Sequence, residues 1–167
     1  SRMIYDDNDR FFSPGTLDGC KDRTIVINGF SKSFAMTGWR VGVVISPENL
    51  SDKITLISES IVSCVPGFIQ DAAKEALSSS LSITQKISSD LRSRQLSICN
   101  QLNSVSNINC EIPKGSMYVF PDIKEITNSS ERFAFHLLEE TGLACVPGVY
   151  FGSKGEGYLR FSSATNA

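Results

Sequence analysis

The sequence has a single histidine, His136, and none of its five cysteines stands in a Cys-x-x-Cys pair. With one imidazole, and with thiols scattered as Cys20, Cys64, Cys99, Cys110 and Cys145, no ligand set for a zinc-type site is in view. An odd count of dispersed cysteines also favours reduced thiols in a cytoplasm-like compartment over a disulfide frame. Long hydrophobic runs are missing: none approaches the ~20 residues that a membrane-spanning helix needs. The polar opening "SRMIYDDNDR" does not read as a signal peptide. Charge of one sign is missing too. A formal net charge of −2 leaves no electrostatic basis for binding nucleic acid or an anionic membrane. Repeats and low-complexity tracts are absent. The sequons at Asn49 and Asn128 have no secretory context around them and read as chance.

What is present is globular. The chain has 167 residues, 41% of them hydrophobic and 20% charged with both signs mixed, enough for one domain of about 100–200 residues or two small lobes. After a loop rich in Asp, Asn, Gly and Pro (6–22), "RTIVING" and "RVGVVIS" (40–46) read as buried strands. Pro47 starts a helix, with Ser46 as its cap and Glu48 in the first turn. Pro66 and Gly67 mark the next boundary, before the helical "FIQDAAKEALSSS". Over 84–105, flanked by Ile83, the residues Ile87, Leu91, Ile98, Leu102 and Val105 recur at helical spacings. Short strands follow in "NINCEI", "MYVFPDI", "ACV" and "YLRFSS", interrupted by an amphipathic helix over 130–141 that Gly142 stops. The fold class this implies is α/β: the tail of an α/β sheet, joining helices, then an α+β lobe.

The chemistry concentrates in "SKSFAMTGWRVG" (31–42). A lysine between two serines at a strand end is placed to act as a nucleophile or base. Amines of that kind form Schiff bases with aldehydes, which is how pyridoxal phosphate is anchored. Such a cofactor also needs an anion cradle, and Ser31, Thr37, Gly38 and Arg40 are suitable donors, the guanidinium above all. The plainer alternative is that Lys32 and Arg40 are solvated loop charges and the glycines are turns. His136, between Phe135 and Leu137, reads as a helix residue and not as a catalytic base. The phenylalanines, Phe151 among them, read mostly as packing, with Phe34 and Trp39 near enough in sequence to shape a pocket.

The same stretch closely resembles the cofactor-lysine signature of the class I/II aminotransferases, pyridoxal-phosphate enzymes of the aspartate aminotransferase fold. The likeness runs along almost the whole chain. "VPGFIQDAAKEAL" resembles the helix start after the catalytic loop. "PKGSMYVFPDI" is similar to the family's Pro-x-Gly-Gly-x-Tyr segment, with Ser116 in place of the second glycine. "ETGLACVPGVYFGSKGEGYLRFSSA" resembles its closing stretch. The resemblance implies the C-terminal portion of a fold-type I enzyme. The end of the large cofactor-binding domain would occupy 1–60, an interdomain helical segment 61–82 and a small α+β domain 83–167. It further implies transamination between an amino acid and a 2-oxo acid, of aspartate or aromatic type, in amino acid metabolism. Lys32 would be the Schiff-base lysine and proton shuttle, and Ser31 and Arg40 would bind the phosphate. Tyr5, in "MIYDD", would bond the cofactor's ring oxygen, and Arg160, in "YLRFS", would fork onto the substrate's α-carboxylate. A cytoplasmic homodimer without nucleic-acid or membrane partners completes the expectation. One departure stands at the start: the family's aspartate three residues before the tyrosine would fall at position 2, which is Arg2. The family's phosphate loop and ring-stacking aromatic lie upstream of the matched part, so this chain alone is expected to be inactive. A pyridoxal-phosphate lyase of the same fold and a catalytically silent interaction module remain as alternatives.

Overall fold

A computed structural model describes residues 12–78 and 81–164, and the chain divides into two compact units between Gln85 and Lys86. In the first unit, β1 (Val26–Gly29) and β2 (Gly42–Ile45) pair antiparallel, with Val26 opposite Ile45 and Gly29 opposite Gly42. A short helix, α1 (Phe30–Ser33), lies in the connection between them. Two longer helices follow, α2 (Glu48–Val62) and α3 (Gly67–Ser78). The core of this unit is small: Phe30, Met36 and Ala73 are buried, with Phe34, Val41, Ala72 and Ala76 packed against them.

Two sequence expectations change here. The strands were expected to be buried, yet every residue of β2 is exposed and Ile27 of β1 is 75% exposed. The reason is topological. Among the described residues the two strands pair only with each other, so their apolar side chains have little to pack against. The second change is at the helix start. Pro47 and not Ser46 is the N-cap of α2, with no side-chain cap bond. The Ser46 hydroxyl is instead within 2.8 Å of the Ser51 hydroxyl, one turn into the helix.

The second unit takes up most of α4 (Leu81–Asn103), followed by β3 (Tyr118–Val119), α5 (Ser130–Thr141), β4 (Val146–Pro147) and β5 (Leu159–Ser162). The strands form one antiparallel sheet in the order β3-β5-β4, so β5 is the central strand. Val119, Cys99 and Cys110 make one buried cluster and Ile123, Ala134 and Leu159 another, and Phe161 packs against both. The expected strand "NINCEI" reduces to a single bridge between Asn109 and Asp122. Asn103 explains why: its side chain accepts from the Cys110 N–H at 2.7 Å and donates to the Cys110 carbonyl at 3.0 Å. Both ladder groups of Cys110 are thereby occupied, and pairing stops. At the other side of the unit α5 is capped twice. The Ser129 hydroxyl accepts from Arg132, and the Glu156 carboxylate accepts from the N–H groups of Ser130 at 2.6 Å and Gly157 at 2.8 Å. Those two backbone donors hold Glu156 below the usual carboxylate range. The clamp is therefore intact above the ordinary glutamate value and is lost as pH falls through the lowered one. Gly142, at φ 72°, closes the helix as expected.

All five cysteines are free, and they differ sharply in surroundings. Cys64 is exposed, whereas Cys99 and Cys110 are buried with sulfurs 3.4 Å apart. Burial, reinforced by Cys99, pushes the Cys110 thiol up to about 12. Since the thiolate is the reactive form, a thiol reagent at pH 8 is expected to modify Cys64 quickly and to leave Cys99 and Cys110 untouched until the protein unfolds. Peptide mapping after timed alkylation checks this, and early label on Cys110 would contradict it.

Candidate active site

The chemistry-bearing stretch of the first unit is the connection 30–41, and its shape follows from its apolar residues. Phe30 is buried and stacks on Phe34, ring centroids 5.2 Å apart, while Met36 joins the same cluster as Ala73 of α3. The Phe30 N–H donates to the Val41 carbonyl at 3.2 Å and closes the connection at its base. With Phe30 and Phe34 turned inward four residues apart, Lys32 is left exposed on α1 and Ser31 half-buried beside it. The backbone then takes two unusual conformations, at Ala35 (φ 53°) and Arg40 (φ 50°). A side chain other than glycine in that region costs roughly 1–2 kcal/mol. Arg40 partly offsets the cost by donating from Nη1 to the Thr37 carbonyl at 2.9 Å, which folds its side chain back over the 3-10 turn Thr37–Trp39. The structure thus places Ser31, Lys32 and Arg40 on one connection of the first unit. Residues 30–41 contain two cations and no carboxylate. A primary amine, a hydroxyl and a guanidinium without a competing acid form a donor set that fits an aldehyde-bearing phosphate ester. Tyr5 lies outside the described residues.

Arg160 belongs to the second unit, at the middle of the central strand. Strand alternation sends Leu159 and Phe161 to the core face, where Leu159 is almost fully buried and Phe161 bridges the two clusters. Arg160 turns the other way and stays half-buried among aromatic side chains. Its guanidinium carbon lies 4.4 Å over the Tyr118 ring and 4.7 Å over the Phe151 ring. By sequence alone Phe151 reads as packing, and Tyr118 stands out only through its place in the motif. The signal was partly there, since "YVF" alternates as "LRF" does and the two strands pair. No sequence pattern brings in Phe151, which arrives from a 3-10 turn (Gly148–Phe151).

A family model for aminotransferase class I and II matches residues 2–167 of this chain. The chain belongs to the class I and II aminotransferases. Among curated relatives, a putative aminotransferase of Bacillus subtilis, YugH, is 41% identical over 166 residues, covering 99% of this chain and 42% of that protein. An aspartate aminotransferase of Pyrococcus abyssi is 40% identical and is likewise covered over 42% of its length. Among solved structures, an aromatic aminotransferase from Pyrococcus horikoshii superposes with a TM-score of 0.92 at 38% identity, over 99% of this chain and 44% of that one. This aminotransferase chain therefore spans about two-fifths of the length of the curated relatives it matches, and its α/β architecture is that of part of a fold-type I enzyme. Among the described residues no helix is long and apolar enough to cross a membrane.

Proposed function

We propose that the protein carrying this chain transfers an amino group from an amino acid to a 2-oxo acid with pyridoxal phosphate as cofactor. The observation that carries the reading is the amine, hydroxyl and guanidinium of Ser31, Lys32 and Arg40 on one acid-free connection, anchored by Phe30 and Met36. When bound, the cofactor supplies an electron sink for the substrate's Cα–H bond. The protein's residues do the rest. Lys32 would hold the cofactor through its amine and, with that amine free, would take the proton from Cα as general base. Ser31 and Arg40 hold the phosphate, and Tyr5 donates to the ring oxygen. Arg160 receives the α-carboxylate, the one group that every amino acid and 2-oxo acid share. Residues 1–60 then close the cofactor-binding domain, 61–82 link the domains, and 83–167 form the small domain. Aspartate- or aromatic-type relatives support the substrate class. A cytoplasmic homodimer belongs to the same reading. The free thiols support the compartment, and the exposed Leu56, Ile57, Ile61 and Val62 of α2 support self-association.

The test is chemical trapping. Borohydride reduction of the full-length protein with its cofactor, followed by peptide mapping, should place the label on the peptide containing Lys32. Label on any other lysine would sink the reading.

A second outcome concerns Arg160. Charge-assisted hydrogen bonds contribute about 1.5–3 kcal/mol, so Arg160→Lys should raise the KM for amino acids by about 10- to 150-fold. An ammonium cannot make the two parallel bonds of the guanidinium fork. Cofactor absorbance should be unaffected, because Arg160 is assigned to the substrate and not to the phosphate. An unchanged KM for every amino acid tried would remove Arg160 from the site.

A further inference from the structure

Two aromatic faces close on the guanidinium of Arg160, at 4.4 Å for Tyr118 and 4.7 Å for Phe151. Each ring has a further partner. Tyr118 sits on β3, paired in register with Ser162 of β5. Its carbonyl also accepts from Nε2 of Gln95 at 3.0 Å, and Gln95 is wholly buried on α4. Phe151 meets Phe120 edge-on, with centroids 6.0 Å apart and planes at 80°, and Phe120 stacks on Tyr158 at 5.1 Å. Two rings, from β3 and the 3-10 turn, therefore frame the cation, with Phe120 and then Tyr158 in line behind Phe151.

We infer that Tyr118 and Phe151 are positioning residues for Arg160, holding its guanidinium against two ring faces in the attitude in which it receives a carboxylate. The inference rests on the reading above, in which Arg160 is the carboxylate receptor. An arginine on a long stem loses rotamer freedom when it grips a ligand, and a side chain already ordered by its neighbours loses less. Ring faces attract the cation through their quadrupoles without taking up its N–H donors, which stay available to a ligand. A hydrogen-bonding partner in the same place, such as a carboxylate, would consume those donors. The carboxylate contact is the same before and during the reaction. Loosening Arg160 should therefore weaken substrate binding and leave the chemical step alone, so that KM rises at constant kcat.

The experiment uses the full-length protein with its cofactor. Tyr118→Leu and Phe151→Leu should each raise the KM for the amino acid and the 2-oxo acid by about 2- to 30-fold, the span that corresponds to one cation–π contact. The kcat and the cofactor absorbance should stay at wild-type values, and Tyr118→Phe, which keeps the ring, should restore the KM. Replacing Phe151 by phenylalanines carrying one, two and three fluorines should raise log KM stepwise, since fluorine drains the ring quadrupole with little change of shape. A flat fluorine series would overturn the inference. So would Leu variants whose kcat and melting temperature fall together with binding, because the rings would then be ordinary packing. Arg160→Lys separates this from the reading beneath it. If that variant raises KM and the ring variants do not, the positioning role is wrong and the carboxylate role stands. If Arg160→Lys leaves KM unchanged, the carboxylate role fails and the positioning role with it.

Discussion

Lys32→Ala is expected to abolish amino-group transfer in the full-length protein, by about a thousandfold or more. A positioned general base contributes about 10²–10⁴-fold by itself, and the same side chain is also assigned to anchor the cofactor, so two functions vanish together. The loss should not come from misfolding. Lys32 is exposed on α1, which is held by Phe30 and Phe34 on its other side, and an exposed helical lysine changed to alanine shifts stability by only about 0.5 kcal/mol. The variant should keep its melting temperature and its affinity for free phosphate, which the proposed function assigns to Ser31 and Arg40. It should release the cofactor on dialysis, where the wild type retains it. Lys32→Arg refines the argument: it keeps the charge, but a guanidinium stays protonated and does not attack an aldehyde. It should be as inactive as the alanine variant. Activity above a tenth of wild type in Lys32→Arg would mean that charge alone is needed and that the amine is elsewhere.

The sequence made the second unit more legible than the first, and the reasons are local. In α5 the apolar stripe and Gly142 both point to one helix, and its bounds emerge at Ser130–Thr141. Arg160 between Leu159 and Phe161 announced its own orientation by strand alternation. "NINCEI" failed because a side chain, Asn103, from the end of α4 intercepts the backbone of Cys110, and no local pattern records a partner seven residues away. In the first unit "RTIVING" and "RVGVVIS" have the composition of buried strands. Composition states what a strand is suited to and not what covers it, and β1 and β2 have only each other among the described residues. The loop between them shows its two candidate residues, Lys32 and Arg40, openly in the sequence. Its unusual backbone at Ala35 and Arg40 left no trace in residue type, since neither is a glycine. The pairing of Arg160 with Phe151 was likewise hidden. A ring brought in by a 3-10 turn nine positions earlier obeys no strand or helix period.

The largest effect on folding is expected from two glycines. Gly155→Ala and Gly148→Ala should each destabilise the chain by about 3 kcal/mol or more, at the top of the range for overpacked sites. Both glycines are buried and their backbones touch each other. A methyl group on Gly148 would run into the Gly155 carbonyl and stand 2.6 Å from the Tyr158 carbonyl, and one on Gly155 would run into the Gly148 carbonyl. These obstacles are main-chain atoms, so no rotamer change relieves them. Moving them apart would break the hydrogen bonds from Gly148 to the Tyr158 carbonyl at 2.8 Å and from Tyr158 to the Gly155 carbonyl at 3.2 Å. The same pair of bonds fixes where the chain enters the turn that carries Phe151 and where it enters β5 with Arg160. At a typical 2–4 °C per kcal/mol for a protein of this size, the melting temperature should fall by about 6–12 °C. Gly19→Ala is the control: a methyl group there meets nothing within 4 Å, and the change should stay within about 0.5 kcal/mol. The second consequence is functional. Any Gly148→Ala protein that still folds should bind substrate more weakly at unchanged cofactor absorbance, because the turn with Phe151 and the strand with Arg160 can no longer approach as closely. A Gly148→Ala variant that melts with the wild type would show that the two backbones have room between them, and the close approach would lose its claim to hold the strand with Arg160 in place.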